Sequence, residues 1–186
     1  MTDRSDDELM RRSGAGDRGA FADLVARHAK RAAGLAARVA GNPSEAEDIV
    51  QEAFLRTWQK APSWAAQGEA EGGAAFTTWF TRIVVNLAID RARRPKPEPI
   101  EIAEEIADGK ASAFERAAAG EIGARIAEAV KALPERQRAA LALCHYDGMS
   151  NIEAAKALGI SVGALESLLV RARKTLRTAL ADLAAA

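Results

Sequence analysis

This 186-residue chain has a single cysteine, Cys144, so it can form no internal disulfide, and a reducing compartment suits it. Aromatic residues are only 5% of it and β-branched runs are scarce, which argues against a sheet-based core. No apolar run is long enough to cross a bilayer, and the first residues, M-T-D-R-S-D-D-E-L-M, hold no apolar segment of signal-peptide type. A soluble, cytoplasmic protein with no membrane insertion of its own is expected. Enzyme signatures are lacking too: there is no Gly-rich phosphate loop, no paired-His metal helix and no nucleophile elbow. Cys144 and His145 are neighbours, but adjacent helical residues point about 100° apart and do not converge on one ligand. No catalytic residue, metal or cofactor is therefore expected.

A formal net charge of zero, from 26 Lys/Arg against 26 Asp/Glu, excludes a uniformly basic chain. Divided by segment it is uneven. Residues 1–95 carry 14 cations against 13 anions, residues 96–130 carry 4 against 8, and residues 131–186 carry 8 against 5. The basic excess thus lies at the C-terminal end and the acidic excess in the middle. Ala, Leu, Arg and Glu dominate the composition, which predicts an all-α fold. Around residue 96 the sequence P-K-P-E-P places prolines at alternate positions and resists a helix start. An acidic, Pro-rich stretch between helical blocks reads as a flexible linker. The expected organisation is a helical domain over 1–95, a linker over 96–113 and a second small helical domain over 114–186.

The sharpest local pattern lies between Ser150 and Arg177. Ser150 and Glu153 make a capping box, Gly159 sits where a left-handed residue is needed, and Ser161 caps the next helix. A short helix, a Gly turn and a longer helix spell a helix-turn-helix, whose second helix enters the DNA major groove. On that helix Leu165, Leu168, Leu169, Ala172, Leu176 and Leu180 face inward. Gly163, Ser167, Val170 and Lys174 point away, flanked by Glu166, Arg171 and Arg177. Gly163, Glu166, Ser167, Val170 and Arg171 are expected to meet base edges, and Arg173, Lys174 and Arg177 to hold phosphates.

Three further helices are predicted upstream. Asp17 to Ala40 carries Phe21, Leu24, Val25, His28, Ala32, Leu35 and Val39 at helical spacing, with His28 read as a core-edge residue. A second helix starts at Ser44 with a capping box to Glu47. It buries Ala46, Val50, Ala53, Phe54 and Thr57, and turns Asp48, Gln51, Glu52, Leu55 and Gln59 to the opposite side. An exposed Leu amid acids suggests a docking surface for a partner with basic residues and an apolar notch. The third covers about Thr77 to Arg94, with Phe76, Trp79, Phe80, Ile83 and Leu87 inward and Arg82, Asn86, Ile89 and Arg93 along one flank. A Gly-rich loop with Trp64 at its mouth precedes it. Aromatics, Arg and Asn together suit single-stranded nucleic acid.

The motifs A-G-D-R-G-A-F-A-D-L-V-A-R-H, A-E-D-I-V-Q-E-A-F-L-R-T-W, F-T-T-W-F-T-R-I-V-V-N-L-A-I-D-R-A-R-R and L-L-V-R-A-R-K-T-L-R, in this order, resemble the extracytoplasmic-function sigma factors. These are small promoter-specificity subunits of bacterial RNA polymerase. The resemblance implies that Asp48, Gln51, Glu52 and Leu55 dock on the polymerase largest subunit. It implies that Asn86 reads the minus-ten element, with Arg82 and Arg93 on phosphates and Trp64 beside the pocket for a flipped base. The helix-turn-helix would read the minus-thirty-five element. Implied partners are core RNA polymerase, through its largest and second-largest subunits, promoter DNA, and an anti-sigma factor. The alternative is an autonomous helix-turn-helix regulator, which leaves the two upstream helices without a task.

Overall fold

The computed structural model describes residues 4–67, 76–94 and 113–184; the linker expected over 96–113 lies almost wholly outside them. All regular structure in the described residues is helical: α1 (Asp6–Gly14), α2 (Arg18–Ala40), α3 (Ala46–Gln67), α4 (Phe76–Ala92), α5 (Ala113–Lys131), α6 (Glu135–Leu141), α7 (Asn151–Leu158) and α8 (Val162–Ala179). A 3-10 turn precedes α3, a π-helical turn over Ala142–Tyr146 follows α6, and a second 3-10 turn follows α8. Within α5 the helix breaks at Gly120, where φ is +45°. No helix among the described residues is long and apolar enough to cross a membrane.

Helix α1 is one that periodicity misses. Its segment is charged, but Ser5 caps it and Leu9 and Met10 are fully buried against the rest of the bundle. α1 packs on α2 and α3, and it lends Asp7, whose carboxylate accepts the Phe76 N–H at the start of α4 at 3.0 Å. Asp17 caps α2, accepting from Ala20 N–H, and Gly41 closes it in the left-handed region at φ +69°. His28 is a core-edge residue as expected. Its ring lies 5.3 Å from Phe76 and 5.9 Å from Phe80, and its Nε2 is 2.7 Å from Asp6 Oδ2.

Two expectations need correction. Ser44 does not cap α3: Asn42 caps a 3-10 turn with Pro43 in its first position, and the Ser44 hydroxyl donates to Asn42 Oδ1 at 2.9 Å. Asn42 has extended backbone and Pro43 has its φ already fixed, so the chain turns in two residues early. Trp64 does not sit in a loop either. α3 runs through Pro62 to Gln67, because buried Ala61 and the Trp64 contacts with Phe76 and Trp79 hold its last turns despite the lost donor. Residues 68–75 of the expected loop lie outside the described residues.

The helix-turn-helix forms as its sequence dictates. Ser150 Oγ accepts from Glu153 N–H, Glu153 accepts from Ser150 N–H at 2.9 Å, Gly159 is left-handed at φ +63°, and Ser161 caps α8. The Ser150 hydrogen bonds, chiefly from its hydroxyl, hold the Glu153 carboxyl below its ordinary pKa. A lowered folded pKa stabilises the cap above the unfolded value and loses that contribution as pH falls through the folded one. Amide exchange of the first turn of α7 should therefore quicken as pH drops below the usual Glu range. In Glu153→Gln that acid-dependent step should vanish.

The two helical parts share a core. One continuous apolar cluster runs from Leu9 and Leu24 through Phe80, Val84, Val85 and Ala88 to Leu143, Leu158 and Leu165. α7 packs on α4, and α6 packs on both α2 and α4. Three buried alanines, Ala154, Ala155 and Ala157, keep α7 thin enough to lie between α4 and α8. A smaller cluster of Leu133, Leu141 and Ala172 secures α8.

Candidate functional site

α3 and α4 pack side by side and leave a groove whose two ends meet at Arg56. One end, about 660 Å³, is lined by Asp48, Gln51, Glu52 and Leu55 from α3, as the sequence pattern placed them, with Leu87, Asp90, Arg91 and Arg94 from α4. The α4 residues were not anticipated at this surface. Leu55 is 51% exposed at the centre of this charged rim. Arg56 reaches Glu52 at 2.7 Å, and Arg91 approaches Asp48 at 3.9 Å. Both acids are well exposed, so these pairs are weak and can be exchanged for cations of a partner. An exposed leucine ringed by exchangeable acids fits a partner surface with an apolar notch and several cations.

The other end, about 380 Å³, is walled by Trp64, Trp79 and Ile83 and rimmed by Arg56, Gln59, Lys60 and Ser63. The two indole rings lie 5.0 Å apart and tilted. Both are half-buried, which leaves π-surface for a base to stack on while cations hold its phosphate. Gln59 and Lys60 lay outside the sequence expectation for this pocket. They come to it because α3 continues past Pro62.

Next to this groove α4 carries Arg82, Asn86 and Arg93, all exposed. The Asn86 side chain makes no hydrogen bond with other described residues, so its amide is available to a base edge. Ile89, expected on the same flank, is buried at 5%. Trp79, Ile83 and Leu87, expected inward, are only half-buried, whereas Val84, Val85 and Ala88 are buried. The cause is that α4 is covered by the C-terminal helices as well as by α2 and α3, which widens and rotates its apolar arc. Arg82 and Arg93 lie at the edge of that cover. The Arg82 guanidinium sits over Gly159, where an added Cβ would stand 3.2 Å from Nη2, and Arg93 pairs with Glu135 at 2.7 Å.

On α8 the expected orientation holds. Leu165, Leu169 and Ala172 are buried, and Gly163, Glu166, Ser167, Val170, Arg171, Arg173, Lys174 and Arg177 are all exposed. Val170 is 62% exposed, an apolar tip suited to a thymine methyl. Ser167 donates back to Gly163 O at 2.9 Å, and Glu166 accepts from Asn151 Nδ2 at 3.5 Å. Cys144 is half-buried and its thiol pKa is pushed up by burial, against the opposing pull of Arg173.

Residues 24–97 match the family model for Sigma-70 region 2, and residues 123–176 match that for Sigma-70, region 4. The extracytoplasmic-function sigma factor SigW of Bacillus subtilis is 34% identical over 179 residues, covering 90% of this chain and 92% of SigW. The chain belongs to the sigma-70 family, among its extracytoplasmic-function members. A sigma factor binds core RNA polymerase and directs promoter recognition and transcription initiation, and this is the function of the chain; the family is not a class of enzymes. Of solved structures, CnrH in complex with the cytosolic domain of CnrY aligns over 97% of this chain and 99% of that one, at TM-score 0.66 and 30% identity. The sigma factor RpoE from Bartonella quintana, solved with the anti-sigma factor NepR, shares the fold at TM-score 0.58 and 21% identity, over 86% and 96% of the two chains. The region 2 match covers α3 and α4, the helices that an autonomous helix-turn-helix regulator would leave idle.

Proposed function

We propose a division of labour within this sigma factor. Residues 1–95 dock on polymerase and open the minus-ten element, 96–113 link, and 114–186 read the minus-thirty-five element. The observation that carries this reading is the two-ended α3/α4 groove. Asp48, Gln51, Glu52 and Leu55 offer acids around an exposed apolar centre to the largest subunit. A few turns away Trp64, Arg82 and Asn86 offer an aromatic face, a cation and an amide to a single strand, with Arg93 a further cation beside the docking end. One rigid pair of helices thereby ties polymerase docking to strand capture. The chain makes no bond itself and acts in the cytoplasm. As CnrH and the Bartonella factor are each solved with a protein partner, an anti-sigma factor is proposed as the partner that holds it inactive.

Run-off transcription with core polymerase on a randomised promoter library, read by sequencing, tests the whole assignment. Enrichment confined to one promoter element would sink the two-domain reading. Within α8, Arg171→Ala should relax base choice at one or two minus-thirty-five positions, costing about 1–3 kcal/mol there. Lys174→Ala should weaken all sequences evenly and lower the salt slope by about one unit. Equal losses from both on every sequence would remove Arg171 from the base-reading set.

A further inference from the structure

The recognition helix α8 carries four cations, Arg171, Arg173, Lys174 and Arg177, and a single acid, Glu166. An acid on a surface that meets phosphates weakens binding to every sequence, so its presence calls for a cause. The helix dipole does not supply one, because Glu166 lies beyond the first turn of α8. Neither does local pairing, since Glu166 forms no ion pair among the described residues. Its hydrogen bond comes from the other helix of the motif. Asn151, the first residue of α7, places Nδ2 3.5 Å from Glu166 Oε1.

Asn151 is itself held in one orientation. Cys144 Sγ, in the π-helical turn before α7, lies 3.9 Å from Asn151 Oδ1. The thiol is half-buried, and burial pushes its pKa up, so it stays protonated and donates. Asn151 therefore turns its carbonyl oxygen to Cys144 and its NH2 to Glu166. The reversed amide would set oxygen against carboxylate and NH2 against S–H, leaving neither contact matched. Both Asn151 and Glu166 are exposed, and the second carboxylate oxygen of Glu166 has no hydrogen bond within the described residues. It is open to DNA.

A carboxylate accepts and cannot donate. In the major groove it needs a base donor, which is N4 of cytosine or N6 of adenine. Adenine N6 lies between two acceptors, its own N7 and thymine O4, and both repel a carboxylate. Cytosine N4 has an acceptor, guanine O6, on one side only. We propose that Glu166 selects a cytosine within the minus-thirty-five element, and that Asn151 is the positioning residue that holds its carboxylate toward that base. The base choice rests on the assignment of α8 to the minus-thirty-five element made above.

The test uses holoenzyme assembled from the full chain and core polymerase, transcribing promoters randomised over the minus-thirty-five element. The wild type should favour cytosine at one position by about tenfold. In Glu166→Gln, whose amide both donates and accepts, that position should move to adenine. Asn151→Ala should reduce the cytosine preference to about threefold and leave choice at the other positions alone. Asn151→Asp separates positioning from support of the fold. Its carboxylate repels Glu166 and should abolish the cytosine preference, while an acid in the first turn of α7 favours that helix, so Tm should not fall. Cytosine choice unchanged in Asn151→Asp, or an even loss on all sequences in Asn151→Ala, would refute the positioning role. A wild-type cytosine preference that survives Glu166→Gln, or a minus-thirty-five preference without cytosine, would refute the base assignment and leave α8 as the reader. Transcription indifferent to the whole minus-thirty-five element would remove the α8 assignment itself, and this base choice with it.

Discussion

Asp48→Lys together with Glu52→Lys should abolish binding to core polymerase, a loss of at least about a hundredfold, while folding stability moves by no more than about 1 kcal/mol. The two halves of that expectation have separate causes. In the free chain both carboxylates are well exposed, and their pairs with Arg91 and Arg56 lie on the surface, so breaking them costs little. Asp48 also sits in the first turn of α3, where a cation opposes the helix dipole by about 0.3–1 kcal/mol. At the docked interface the same lysines meet the cations of the partner, and like charges brought together there cost several kcal/mol.

Glu47→Lys is the control that separates these causes. Glu47 shares the first turn of α3 and is exposed, so its reversal carries the same dipole penalty and half the change of net charge. It does not line the groove, and polymerase binding should survive. A pull-down or fluorescence titration with core polymerase reads both variants, and circular dichroism reads the fold. Wild-type affinity in the double reversal would remove Asp48 and Glu52 from the docking surface. Equal loss in Glu47→Lys would mean that overall charge, and not this groove, governs the encounter.

What was legible in the sequence depended on how local its cause was. The capping box at Ser150, the left-handed Gly159 and the rotation of α8 follow from neighbours within one or two turns, and they formed as read. The Asp48 face of α3 was equally clear, because one helix supplies the whole period. The cap of α3 misled because Ser44 and Glu47 mimic a capping box while Asn42 and Pro43 start the turn earlier. Less local still was α1, whose two apolar residues give no period and whose stability comes from Leu9 and Met10 buried against α2 and α3. Ile89 was misplaced for the same kind of reason. Periodicity fixes which residues share a face, but the number of covered faces depends on α6 and α7, far along the chain. A Pro-rich boundary gave no hint that the two helical parts share a core, since the complementarity of Arg138 to the end of α2 spans 99 residues.

Phe76→Ala should be the most destabilising single substitution among those considered, by about 3–5 kcal/mol, lowering Tm by roughly 10 °C. Phe76 is fully buried, and its ring stacks on Phe80 at 5.6 Å with only 9° between planes. It also touches His28, Trp79 and the edge of Trp64. Removing it opens a cavity among rigid rings that cannot collapse to fill it. Its backbone contributes through Asp7, the acceptor for its N–H. That contribution survives in Phe76→Ala and is lost in Asp7→Ala, which should cost only about 1 kcal/mol. Phe76→Leu keeps most of the volume and should fall between the two. Because Phe76 backs both walls of the tryptophan pocket, the Ala variant should also weaken minus-ten single-strand binding at temperatures where it remains folded. Asp7→Ala should leave that binding alone. Tryptophan emission follows both effects, since Trp64 and Trp79 lie at the site. A Phe76→Ala protein that melts within a degree or two of wild type would mean that this aromatic stack does not hold α4 in place. The pocket it supports could then not be the rigid half of the groove that couples docking to strand capture.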